Sequence, residues 1–257
     1  MELVKYVVRD RVGFITLNRP EKRNALSFEL VSELMVTFKE AESDPAVKVV
    51  VLGAMGEAFC AGADLAYLRN LQNFSYEENL GDSRHLKDLF LTIYTLKKVV
   101  IAQVQGHALA GGCGLTTVCD FVIAVPEAKF GYTEVKIGFV PAIVMVFLLR
   151  KLGEQKAKQL LLSGELMSGD EALEYGLVNF LAPKELLESS VMDFAQTLVR
   201  NNSLQSMELT KKMIAEVQSL PLSEALEYAT TMNARARTTE DCKKGVQAFL
   251  EKRDHKW

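Results

Sequence analysis

The chain has 257 residues, with 30 Lys and Arg against 33 Asp and Glu, for a formal net charge of −3. That length holds one large core with room for a smaller appended unit, and 49% hydrophobic with 25% charged residues excludes disorder of the whole chain. The faintly acidic balance supplies no cationic excess for contacts along a nucleic-acid backbone.

The opening Met1-Glu2-Leu3-Val4-Lys5 lacks a basic segment followed by an apolar one, so neither a signal peptide nor a presequence is expected and a cytoplasmic location is inferred. Val12 to Leu17 reads as a strand, broken at Asn18-Arg19-Pro20. A loop through Ala25 follows. From Ser27 as N-cap, Leu30, Val31, Leu34, Phe38 and Ala41 recur at helical spacing and predict an amphipathic helix. Val47 to Leu52 is a buried strand, and Phe59-Cys60-Ala61-Gly62-Ala63-Asp64 is a turn of small residues ahead of a helical stretch.

Glu77 to Leu96 predicts a helix and Val99 to Gln105 a strand, after which Gly106 to Leu115 forms a second turn of small residues opening a helix. Such a junction presents unpaired N–H groups at the positive end of a helix dipole, which suits an anion, although glycines there also serve close packing. Phe121 to Val125 is another strand. Strands alternating with helices imply a mostly parallel sheet. The apolar run Phe139 to Leu149 is too short to cross a bilayer and suits a buried helix. Ser168 and Glu171 have capping-box spacing and Gly176 closes that helix; Leu177 to Phe180 is strand-like. Helices follow at about 184–200, 203–218, 221–236 and 239–252, with a boundary placed near residue 190, giving a 1–190 core and a 191–257 helical region. Leu222, Leu226, Met232 and Phe249 are more apolar surface than a three-helix tail can bury, so packing on the core or on a neighbouring subunit is expected.

Cys60, Cys113, Cys119 and Cys242 form no CxxC pair, and His85, His107 and His255 are scattered, so reduced thiols and no metal site are expected.

Taken in order, Asn18-Arg19-Pro20 with Lys22 to Leu26, the Ala58 to Asp64 loop, Gly111-Gly112 followed by Cys119-Asp120, Phe130 to Gly138, and Ala172 to Val178 resemble the crotonase, or enoyl-CoA hydratase/isomerase, superfamily. The likeness spans residues of about 5 to 253. It implies an α/β fold: a spiral of strand-strand-helix units with a helical C-terminal region that assists oligomerisation and covers the coenzyme A site. It also implies trimers or pairs of trimers, an acyl-CoA substrate, no membrane or nucleic-acid partner, and no cofactor, coenzyme A entering as the substrate thioester.

By the same resemblance, the backbone N–H groups of Ala63 and Gly111 hold the oxygen of a thioester enolate, and Glu134 is the catalytic acid and base. Lys22, Arg23, Ala25, Ala61, Asp64, Leu65 and Gly112 would line the coenzyme A site, with Phe249 and Lys252 capping one on an adjoining subunit. His107 is expected to pack or hydrogen-bond, Cys113 to be a small buried hydrophobe and Asp120 a structural acceptor. Many hydratases of the superfamily carry a second glutamate three residues after the oxyanion glycine; here Gly114 stands there. That departure resembles single-glutamate members such as methylglutaconyl-CoA hydratase-like enzymes. Hydration of a short or branched 2-enoyl-CoA is therefore expected, in fatty-acid or branched-chain amino-acid degradation, with Δ3,Δ2 double-bond isomerisation or noncatalytic acyl-CoA binding as alternatives.

Overall fold

A computed structural model describes residues 2–257, the side chain of Leu65 excepted. Strands β1 (Val4–Arg9) and β2 (Val12–Leu17) form an antiparallel hairpin across Asp10 and Arg11, whose φ values of 48° and 65° give the two-residue turn that suits strand twist. From β2 onward, one motif recurs four times: a strand of the main sheet, a short extended segment in a second layer, then a helix.

In the first unit β2 leads through Leu26 to α1 (Phe28–Ser43), N-capped by Ser27 as its spacing predicted. The second unit is β3 (Val49–Ala54), the extended Cys60 and Ala63, then α2 (Leu65–Leu71) and α3 (Tyr76–Thr95). The third is β4 (Val99–Val104), β5 (Ala108–Leu109) and α4 (Gly111–Val118). The fourth is β6 (Phe121–Ala124), β7 (Lys129–Gly131), a 3-10 turn at Glu134–Ile137 and α5 (Ala142–Ser163), which breaks at Gly153. Then come β8 (Met167–Ser168), α6 (Gly169–Tyr175), β9 (Phe180–Leu181), α7 (Leu187–Asn201), α8 (Leu204–Val217), α9 (Leu222–Arg237) and α10 (Glu240–Leu250).

The main sheet runs β1-β2-β3-β4-β6-β9, parallel from β2 onward, and a second sheet runs β5-β7-β8. Val49, Val50, Val51 and Leu52 are all buried, as expected for a parallel strand covered on both faces. The boundary near residue 190 falls inside α7, whose Val191, Ala195, Leu198 and Val199 belong to the main core. The run Phe139 to Leu149 corrects an expectation: its helix begins only at Ala142, and Phe139, Val140, Met145, Val146 and Leu149 are exposed. Burial follows packing partners, not apolar content alone.

Lysines, three of them buried, close the C-terminal ends of core helices. Lys48 Nζ donates to Val199 O of α7 at 2.7 Å, and Lys98 Nζ to Ala41 O of α1 at 2.7 Å. Lys211 Nζ reaches Ile93 O of α3 at 3.3 Å, and Lys151 Nζ reaches Thr117 O and Cys119 O at the end of α4, both at 3.0 Å. A cation there meets the orphan carbonyls and the negative end of the dipole. Burial is the main cause that lowers the Lys48 ammonium to about 8, with Arg11 adding to it. Since the native pKa lies below the ordinary 10.5, the folded chain loses this proton first, and its stability gains as pH rises from about 8 toward 10.5. The unfolding free energy of wild type relative to Lys48→Met should therefore increase over that window in denaturant titrations; a difference constant with pH would refute the assignment.

Candidate active site

Three segments that each follow a main-sheet strand lie side by side in parallel register. Cys60 bridges Ala108, and Ala108 pairs with Phe130. Leu109 N–H donates to Cys60 O at 2.9 Å and Ala110 N–H to Gly131 O at 2.8 Å. Parallel neighbours advance together, so residues a similar number of positions past this row emerge on one rim. Ala63, Gly111 and Glu134 stand three, three and four residues past Cys60, Ala108 and Phe130. All three expected catalytic residues thus lie within four positions of one parallel row.

The amides of Ala63 and Gly111 are free for local reasons. Leu26 N–H donates to Gly62 O and Asp64 N–H to Leu26 O, so the intervening Ala63 N–H turns to the opposite side. Gly111 is the first residue of α4, where an N–H has no partner within the helix. Neither amide has an acceptor among the described residues. The two loops touch: a Cβ on Gly62, where φ is +90°, would lie 2.9 Å from Ala110 Cβ and 3.6 Å from Gly111 N. Ala110 itself sits at φ 49° and ψ −122°, a conformation costing a non-glycine residue about 1–3 kcal/mol. Its hydrogen bond to Gly131 O holds that strained turn, so the Gly111 amide is fixed by the same row that carries Glu134.

Glu134 opens the 3-10 turn after β7, with its carbonyl accepting from Phe139 N–H at 3.0 Å. Its Oε2 is buried and has no partner among the described residues. Burial raises the carboxyl pKa, only partly countered by a backbone N–H. Cys113 and Tyr132 both feel its charge, and burial above all pushes the Cys113 thiol up to about 11 and the Tyr132 hydroxyl well above its usual range. They remain protonated near neutral pH, and Cys113 lacks the thiolate of a nucleophile. Of the apolar residues near Glu134 in sequence, Phe130 is buried, whereas Ile137 and Phe139 are exposed.

Position 114 has no room for a side chain. A Cβ there would lie 2.4 Å from Val144 Cγ1 of α5 and 3.1 Å from Phe90 Cζ of α3. Gly112 is similarly packed, its Cβ position falling 2.2 Å from Cys60 O, so it brings α4 against the first loop and presents no side chain to a ligand.

Of the residues expected around coenzyme A, Lys22 and Arg23 are exposed, Ala25 is buried and Ala61 is half-buried. Ala61 N–H donates to Arg23 O at 3.0 Å, which docks this segment on the first loop. Asp64 is buried: its carboxylate N-caps α2 through Ala66 N–H and Tyr67 N–H and pairs with Arg19 at 2.7 Å. Burial, the largest influence on Asp64, opposes ionisation, but those amides and Arg19 outweigh it and hold the pKa low. The Leu65 side chain lies outside the described residues. Phe249 and Lys252 are exposed at the end of α10, which packs on α8 and α9.

His107 Nδ1 accepts from Lys129 N–H at 3.2 Å, and Asp120 accepts from Val100 N–H and Lys211 Nζ. Sequence reasoning missed the Arg19–Asp64 pair, the buried Asn24 that donates to Met55 O and Ala58 O, and Lys151. The Asn18-Arg19-Pro20 motif marked the place of Arg19 but not its partner. A cleft of about 700 Å³ lies at the other end of α4, lined in part by Thr117, Phe147, Lys151 and Lys211; Ala63, Gly111 and Glu134 are not in its wall.

Residues 8–257 match the family described as enoyl-CoA hydratase/isomerase. A Thermus thermophilus protein provisionally named an enoyl-CoA hydratase is 42% identical over 247 residues, 96% of this chain and 97% of its own. The crotonyl-CoA hydratase of Syntrophomonas wolfei is 34% identical over 248 residues, 95% of this chain and 93% of its own. The crystal structure of a Mycobacterium smegmatis enoyl-CoA hydratase superposes with a TM-score of 0.93 at 32% identity, covering 99% of this chain and 98% of that one.

The crowding at position 114 is directly testable. Gly114→Ala should lower the unfolding free energy by about 1–3 kcal/mol through overpacking. In a double-mutant cycle Val144→Ala should relieve much of that loss, a favourable coupling of at least ~0.5 kcal/mol; strictly additive effects would show that Val144 does not fill this space.

Proposed function

The chain belongs to the enoyl-CoA hydratase/isomerase family, and from that premise we propose that it adds water across the 2,3 double bond of a short or branched 2-enoyl-CoA, with Glu134 as its one catalytic carboxylate. What carries the reading is the shared row: two amides without an acceptor and, within four positions of the same row, a carboxylate whose Oε2 is buried and unpartnered.

The thioester oxygen is placed between Ala63 N–H and Gly111 N–H. Water attacks the β-carbon, the alkene electrons move through the α-carbon onto the thioester oxygen, and Glu134 takes the proton that water releases. The enolate is the charge the two amides stabilise, and loss of one such donor costs about 3–4 kcal/mol of transition-state stabilisation. Protonated Glu134 then returns that proton to the α-carbon. Hydroxyl and hydrogen have been added and the carboxylate is regenerated. Only protons move and no oxidation state of the protein changes, so this scheme assigns no role to a metal or redox cofactor.

A raised pKa suits this duty, since a carboxylate that ionises nearer neutrality is a better base and, once protonated, only a moderately weak acid. The exposed Lys22 and Arg23 supply cations for the phosphates of coenzyme A, on the loop that abuts the rim. Exposed Ile137, Phe139 and Val140 beside Glu134, with Leu222, Leu226, Phe249 and Leu250 on the tail, support assembly into trimers or pairs of trimers in which Phe249 and Lys252 cap a neighbour's coenzyme. A solution mass of one chain by light scattering at micromolar concentration would exclude that assembly.

The filled space at position 114 favours one second reading, migration of a double bond, in which Glu134 takes a proton from the α-carbon and returns it to the γ-carbon. Incubation with crotonyl-CoA, 3-methylglutaconyl-CoA and 3-hexenoyl-CoA separates the two. A product heavier by one water supports hydration, whereas an isobaric shifted alkene from 3-hexenoyl-CoA alone supports isomerisation. Glu134→Gln should reduce turnover by at least about 10²-fold while still binding CoA thioesters. In wild type kcat/KM should rise with pH through the raised Glu134 pKa, since the base must be ionised; that limb should vanish in Glu134→Gln.

A further inference from the structure

We infer that Lys151 is a positioning residue for the oxyanion amide of Gly111, acting through the two turns of α4, an inference that rests on the enolate reading of the site.

The sequence of α4, Gly-Gly-Cys-Gly-Leu-Thr-Thr-Val, is poor helix material: three glycines carry the largest backbone entropy and three β-branched residues lose side-chain freedom. Ala110 offers no side-chain cap at the start, and at the end the Cys119 thiol donates only to Leu115 O at 3.2 Å. Cys119 leaves the helix at φ −72° and ψ 151° without a left-handed glycine turn. The end is closed from outside by Lys151 of α5. Its Nζ donates to Thr117 O and Cys119 O at 3.0 Å and lies 3.5 Å from Thr116 O, three carbonyls of the last turn and exit.

Lys151 has no ion-pair partner among the described residues, since Asp120, the nearest carboxylate to act on it, is taken by Lys211 at 2.6 Å. An ammonium is therefore held at the negative pole of a helix roughly 12 Å long whose positive pole is the proposed oxyanion site. Two consequences follow at Gly111. The anchor fixes where the helix sits, and a two-turn rod passes any displacement at its end to its start. The cation also offsets the negative pole, which otherwise subtracts from the positive potential that the enolate meets in a low-dielectric interior. Helix α5 grips α4 a second time, where Val144 fills the space beside Gly114.

The test compares Lys151→Arg, which keeps the charge, with Lys151→Gln, which keeps a donor but loses the charge. Lys151→Gln should lower kcat at least about tenfold while KM for crotonyl-CoA changes less than about twofold, and Lys151→Arg should recover most of kcat. The infrared thioester C=O stretch of bound butyryl-CoA should shift less to low frequency in Lys151→Gln than in wild type. Wild-type kcat and an unaltered stretch in a folded Lys151→Gln would overturn the inference, as would equal losses in both variants. The stretch is read without turnover, so it decides the role of Lys151 even where the wild-type chain proves not to hydrate any enoyl-CoA, a result that would instead overturn the functional reading.

Discussion

The site depends on the parallel row Cys60–Ala108–Phe130. These pairings are few and short, yet they connect loops from three successive units of the fold and set their relative advance. Because a parallel ladder fixes register residue by residue, the backbone positions of Ala63, Gly111 and Glu134 advance together from it. The strain at Ala110 is tolerated for the same reason: its N–H is held by Gly131, the next residue of that row. A slip of one residue at β5 would shift Gly111 relative to Glu134, the proposed oxyanion donor and base.

Around that row, polar groups are buried where they complete backbone structure. Lys48, Lys98, Lys151 and Lys211 each meet carbonyls at the end of a core helix, and only Lys211 also has a carboxylate partner. Desolvation lowers the pKa of Lys48, Lys98 and Lys151, so these ammonium groups are costly to hold. What they return is satisfied carbonyls at the ends of helices in the core. Glu134 is the opposite case. Its buried oxygen is left without a partner, which weakens the fold locally and leaves the carboxylate available to a substrate.

The proton chemistry and the packing are linked at Gly114. The face of α4 on which a second carboxylate would stand is occupied by Val144 and Phe90, so the missing acid is built into the core as a filled volume. Phe90 in turn packs edge-on to Phe147, and Phe147 lies against Tyr94, which extends the apolar wall between α3 and α5. A single carboxylate serving as base and then as acid is the proposed chemistry that fits this wall.

The sequence by itself determined the alternation of strands and helices, the capped starts at Ser27 and Ser168, the two small-residue turns and Glu134 as the candidate base, because each is a local signal: periodicity, capping chemistry, glycine, or a motif in fixed order. It also marked position 114 as lacking a carboxylate. Tertiary structure alone decided why. Val144 and Phe90 reach that glycine from two other helices, Lys48 caps a helix 151 residues away, and Arg19 meets Asp64 across the first loop. It likewise decided that the apolar run from Phe139 to Leu149 divides, with Val144, Phe147 and Leu148 buried and Phe139, Val140, Met145, Val146 and Leu149 exposed. Periodicity states which side of an element is apolar, but what covers that side is set by elements distant in the chain. That limit explains why the proposed catalytic groups were legible from residues while the register that aligns them, and the lysine at the end of α4, were not.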